Sequence, residues 1–459
     1  MKKSPLSVRL GAACLAMAAI GASGVGAASP AGAAGVKPHR ITVDPLIHKV
    51  NINPNKVTFS CQSNPIDFSN GAPRCYQPSQ IQRAYNVTPL LRDGKDGRGR
   101  TIVIVDAYDQ PYIRTDLNIF NRTFDLKKAN FRKVAPQGVP AFDINDPNQV
   151  GWAEETTLDV LWAHAIAPGA KIVLVQAKSN QDADILAATQ FAIAHHLGDV
   201  LSQSFGEAEQ CVDPAIARAQ HQMFVKAKNQ HWTVFASSGD SGAAQPDCTT
   251  DGAVLSASTP ASDPLVTGVG GSTLNADGVT GAYQGETAWT EVFGCNPPAV
   301  DPSDVNCSGG GFSTLFPKPA FQDGLVPGSA RGVPDVSYNA GVNGGVLTHC
   351  AVCNVTIGLA PNDPTFFLFG GTSAGTPQWS AIAAIADQVA HHRIGDINPT
   401  LYRLARNPSS YAASFHDVTT GNNDVAELGG FGYQAGPGWD PVTGLGTPNA
   451  AHLVRRLAH

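Results

Sequence analysis

The sequence predicts an α/β fold: a mostly parallel sheet with helices on both faces, in a single large domain. Three observations carry that expectation. Short β-rich runs at 101–105, 171–175, 200–205, 233–236, 265–269 and 365–369 alternate with helical patterns at 153–166, 184–195, 214–229 and 377–391. Strand–helix alternation is the signature of a parallel sheet. The strand runs are continuously apolar, as burial on both faces demands. Finally, 42% hydrophobic residues over 459 positions supply a large core, while the charged share is only 15%, below the usual ~25%.

At the N-terminus, Lys2, Lys3 and Arg9 precede an uncharged run over 10–30 that ends in small residues, with cleavage-like sites near Ala28 and Ala33. A basic start, an apolar middle and alanine-rich ends read as a secretory signal over 1–34. The mature protein is therefore expected to be extracellular, with no membrane contact once the signal is removed. Residues 35–75 read as a short, irregular extension and 76–459 as the main domain, with 277–331 as long Gly- and Pro-rich surface loops. The net charge of −6 and the lack of a Lys/Arg stripe exclude nucleic acid as a partner. A monomer is expected.

Cys14 falls in the signal, leaving Cys61, Cys75, Cys211, Cys248, Cys295, Cys307, Cys350 and Cys353. Sequence alone does not fix the pairing of eight cysteines. Their spacing in sequential pairs suggests neighbour bonding: 61–75, 211–248, 295–307 and 350–353. In an exported chain the last pair reads as a structural bridge in preference to a redox couple.

The candidate nucleophile is Ser373. Gly370-Gly371-Thr372-Ser373-Ala374-Gly375-Thr376-Pro377 follows an apolar strand and leads into a helix. Its glycines allow a tight turn, and Pro377 suits a first helical turn. A serine there sits near the positive end of a helix, where developing negative charge is favoured. A nucleophilic serine needs a base, yet none of the 13 histidines stands in a serine-protease context. The carboxylates are more informative. Glu155 and Asp159 are four apart, so they share a helix face with Leu158, Trp162 and Ile166. Two acids on an apolar stripe break the local packing rule, as functional sites do. A third acid, Asp240, lies in Ser238-Gly239-Asp240-Ser241-Gly242 at a strand's carboxyl end, where α/β active sites form. Protonated, it could donate a hydrogen bond to an oxyanion.

These segments occur in the order seen in the sedolisins, the serine-carboxyl peptidases. Glu155-x-x-x-Asp159 before Ala167-Pro168-Gly169, Ser238–Gly242 and Gly371–Pro377 resemble that family's motifs. So do Val105-Asp106-Ala107-Tyr108-Asp109, Ser308-Gly309-Gly310-Gly311-Phe312-Ser313 and Val333-Pro334-Asp335-Val336-Ser337. The resemblance spans nearly everything from 76 onward. It implies a subtilisin-like fold and a secreted peptidase acting on proteins or peptides, with Ser373 as nucleophile, Glu155 as general base and acid, Asp159 as its partner and Asp240 as oxyanion donor. It assigns substrate backbone pairing to Ser204, Phe205 and Gly206. It also implies one structural calcium ion, held by Asp417, Asp440 and the carbonyls of Val418, Gly436 and Gly438. These are hard oxygen ligands of the kind calcium takes; a plain polar turn is the alternative reading of the same residues. Sedolisins usually carry a long folded pro-domain, whereas only about forty residues separate the expected signal from residue 76. An exported, inactive binding relative is the alternative to the peptidase.

A carboxylate base has an ordinary pKa near ~4, against ~6.5 for imidazole, so the expected activity is acidic and collapses towards neutral pH.

Overall fold

The computed structural model describes residues 47–50 (backbone only), 59–65, 73–250, 252–291, 306–425 and 428–459, all within one compact unit, Pro38–His459. The expected signal over 1–34 lies outside these residues. Among the described residues no helix is long and apolar enough to cross a membrane.

The central sheet has eight strands. Its order is Tyr283–Ala288, Thr267–Ala276, Thr233–Ser237, Val200–Gln203, Thr101–Ala107, Lys171–Ala177 and Asn130–Val134, with Val336–Asn339 also pairing to Thr267–Ala276. Every pairing is parallel except the hairpin between Thr267–Ala276 and Tyr283–Ala288. The strand period of two explains the two-faced core. Ile102 and Ile104 point into one hydrophobic cluster, Val103 and Val105 into the other, and all four are fully buried.

On the first face lie two helices that carry the site. The acid helix, Pro147–Ile166, starts six residues before the expected point: Asp146 caps it by accepting the Asn148 N–H, and Pro147 takes the first position. Apart from Glu154, every residue from Gly151 to Ile166 is buried, so the apolar stripe read from sequence is a helix enclosed on all sides. The serine helix, Thr372–Ala390, packs against it. On the second face lie Asp182–Ala194 and Pro214–Asn229.

Two expectations are corrected. The strand preceding Ser373, Phe366–Phe369, belongs to a separate four-stranded sheet, where it pairs antiparallel with Gly345–His349 and with Ile47–Val50. A fully apolar run reads the same in either kind of sheet. The stretch over 277–331 is not all loop, for it contains Tyr283–Ala288, Gly311–Pro317 and Ala330–Val333. Within 35–75, the strand Ile47–Val50 and Cys75, which begins the strand Cys75–Tyr76, join the second sheet. Bridges 61–75, 211–248 and 350–353 are present. Cys307 is disulfide-bonded, and Cys295 lies outside the described residues.

Candidate active site

Three carboxylates and a serine meet where the two helices face the carboxyl ends of the parallel strands. Ser373 is the second residue of the serine helix, which begins at Thr372, earlier than the sequence suggested, and this leaves Pro377 inside the helix. Proline has no N–H to give to the carbonyl four residues back, so the Ser373 carbonyl is freed. The Ser204 hydroxyl approaches that carbonyl at 3.4 Å and donates more closely to Asp159 Oδ1, at 2.8 Å. The Ser373 hydroxyl lies 3.5 Å from the Ser204 carbonyl.

Glu155 and Asp159 are 1% and 0% exposed. Burial drives the Glu155 pKa well above the ordinary carboxylate range, and the charge of Asp106 adds to the rise. Hydrogen bonds with Ser373 and Asp159 pull it partly back, and Asp240 is near enough to raise it again. Asp159 is also raised well above its ordinary value, by burial first and then by Asp106 and Glu155, while the Ser204 bond opposes. Their mutual hydrogen bond lowers Glu155 and raises Asp159. The two carboxyl groups therefore titrate as a coupled pair.

In the sequence Asp106 figures only as part of a motif and is given no role. It is fully buried, and burial pushes its pKa up to about 7, with a hydrogen bond from the Thr156 side chain opposing the rise. Its place, one residue from the end of Thr101–Ala107, was the available signal, because ligand sites in parallel sheets gather at strand carboxyl ends. No histidine hydrogen-bonds to this cluster among the described residues.

Asp240 meets the start of the serine helix. Its Oδ1 accepts from the Thr372 N–H at 2.8 Å and from the Thr372 hydroxyl at 2.7 Å. Phe205 is buried against Trp152, with ring centroids 5.9 Å apart. At Gly206 a Cβ would fall 2.0 Å from Ser258 Oγ and 3.0 Å from the Thr259 carbonyl, so any larger residue would have to displace the serine hydroxyl. Ser204, placed by the sequence in the substrate segment, has its hydroxyl committed to Asp159.

The expected calcium residues are drawn together from two segments, 417–418 and 436–440. The Gly438 N–H donates to Asp417 Oδ2 at 3.0 Å, the Gly436 N–H to Asp440 Oδ2 at 3.1 Å, and the Thr443 hydroxyl reaches the Val418 carbonyl at 3.4 Å. Asp440 is 5% exposed, and burial pushes its pKa up to about 6. A buried carboxylate beside hard carbonyl oxygens fits a divalent cation that would restore its charge.

Residues 145–405 match the subtilase family. The chain belongs to that family and, within it, to the sedolisins. It is 35% identical over 399 residues to kumamolisin of Bacillus sp. (strain MN-32), covering 84% of this chain and 64% of that protein. With sedolisin of Pseudomonas sp. (strain 101) it shares 32% over 270 residues, or 57% of this chain and 41% of the relative. The solved structure of Pseudomonas sedolisin, a serine-carboxyl proteinase complexed with two molecules of pseudo-iodotyrostatin, superposes with a TM-score of 0.69 at 27% identity. That superposition covers 84% of this chain and 98% of the other. The chain thus spans less than two thirds of the length of these curated relatives.

Proposed function

We propose that this chain is a secreted, acid-active serine-carboxyl peptidase that hydrolyses protein or peptide substrates. The observation that carries the reading is a buried cluster of Glu155, Asp159 and Asp106 beside Ser373, with no histidine bonded to it among the described residues. In this reading residues 1–34 are an export signal, 35–75 a short extension and 76–459 the peptidase domain.

Ser373 Oγ attacks the scissile carbonyl carbon while its proton passes to Glu155. The carbonyl oxygen becomes an oxyanion and accepts a hydrogen bond from the protonated Asp240 carboxyl. Glu155 then returns the proton to the leaving amine, and the acyl-enzyme forms. Water repeats the sequence, giving its proton to Glu155 and freeing the acid product. Asp159 orients Glu155 and shares its charge, with the Ser204 hydroxyl fixing Asp159 in turn. Residues 204–206 offer backbone groups for pairing with an extended substrate.

Asp417, Asp440 and the carbonyls of Val418, Gly436 and Gly438 would hold one calcium ion. When bound, the ion supplies an electrostatic crosslink between the 417–418 and 436–440 segments and takes no part in the chemistry.

Digesting a peptide library at acid pH and mapping the cuts tests the reading. Cleavage lost in both Ser373→Ala and Glu155→Ala supports it. Cleavage that survives Glu155→Ala removes the carboxylate base.

A further inference from the structure

We infer that Thr372 is a positioning residue that decides which oxygen of Asp240 carries the acid proton. The inference rests on the reading of Asp240 as oxyanion donor. Thr372 is 1% exposed, and its two donors, the N–H at 2.8 Å and the hydroxyl at 2.7 Å, converge on the same atom, Asp240 Oδ1.

The N–H is one of the unpaired donors at a helix start, since Thr372 is the first residue of the serine helix. Asp240 therefore caps that helix from another segment of the chain. The Thr372 hydroxyl is itself oriented, because the Gly239 N–H points at its oxygen from 3.3 Å. Donating to Oδ1 at 2.7 Å is favoured over the Gly239 carbonyl at 3.3 Å.

A neutral carboxyl has one oxygen that only accepts and one that carries the hydrogen. With two donors aimed at Oδ1, a proton on that atom would face other protons. The acid hydrogen is therefore placed on Oδ2. That atom borders Gly371, where φ is +86° and a Cβ would lie 2.4 Å from Oδ2. Glycine thus leaves the protonated oxygen its room, two residues from the serine.

The same two donors also stabilise the ionised form. Glu155 is the titratable group that the acid helix turns toward Asp240, and the two feel each other's charge. Removing the threonine hydroxyl has two opposed consequences. The proton is shared between both oxygens, so turnover falls, while Asp240 ionises less readily, so the alkaline limb moves up in pH.

The test compares Thr372→Val, which keeps the shape, with Thr372→Ser, which keeps the hydroxyl, in the full chain. A fluorogenic peptide is followed across pH. Thr372→Val is expected to lower kcat about tenfold with little change in KM and to shift the alkaline limb upward. Thr372→Ser is expected to recover most of kcat and the original limb. Asp240→Ala is run in parallel. If Asp240→Ala loses activity while Thr372→Val keeps wild-type kcat and profile, the inference is overturned and the peptidase reading stands. Equal damage in Thr372→Ser and Thr372→Val, with an unmoved pH profile, also overturns it. Full activity in Asp240→Ala refutes the underlying reading itself.

Discussion

Replacing Asp387 by asparagine should stabilise the folded chain at neutral pH and leave it unchanged in acid. Asp387 lies in the serine helix, is 0% exposed, and accepts the Ile394 N–H at 2.7 Å through Oδ1. Its Oδ2 is buried with no hydrogen-bond partner among the described residues. Burial raises its pKa from 3.8 to about 7, Asp199 adds to the rise, and Arg100 and Arg393 oppose it. The folded chain therefore holds this proton more tightly than the unfolded one. The stabilisation is fully present below about pH 4 and is lost as pH climbs through about 7. A shift of roughly 3 units at ~1.36 kcal/mol each sets a ceiling near ~4 kcal/mol. Asparagine keeps the Oδ1 acceptor and never ionises. At roughly 1–2 °C per kcal/mol for so large a domain, Tm should rise by about 4–8 °C near ~pH 7.5 and move by less than ~2 °C near ~pH 4. Differential scanning calorimetry at the two pH values reads this directly. Equal changes at both values, or a lower Tm at neutral pH, would refute the reasoning.

Other outcomes follow from the same geometry. Ser373→Ala and Glu155→Gln should each lower kcat by at least ~10³-fold with KM little changed, measured on one peptide in acid. Chelation should lower Tm and release one calcium ion per chain, with Asp440→Asn abolishing the bound metal; metal content by mass spectrometry checks both. Breaking the Cys61–Cys75 bridge, which closes a span of 14 residues, should cost about 3 kcal/mol in denaturant unfolding.

Much of this site was legible because its chemistry sits in local rule-breaking. A Gly-Gly-Thr-Ser turn after an apolar strand, and two acids four apart in an otherwise apolar helix, stand out against packing rules. The alternation of strands and helices gave the parallel sheet, and cysteine spacing anticipated three bridges now seen. What stayed hidden depends on contacts distant in sequence. Asp106 looks like an ordinary strand residue until the acid helix is laid against it. The pairing of Phe366–Phe369 with Ile47–Val50 joins segments some 320 residues apart, and an apolar run carries no mark of which sheet it will enter. Pro377 suggested a helix start, whereas Gly371 and Asp240 together set that start at Thr372.

The central claim is that protons are moved by buried carboxyl groups, without imidazole. The most direct measurement is kcat/KM of the full chain on a peptide substrate as a function of pH. The account predicts a maximum in acid and a fall towards neutral pH, because the proposed chemistry needs Asp240 protonated. A maximum at about pH 7 or above would contradict it.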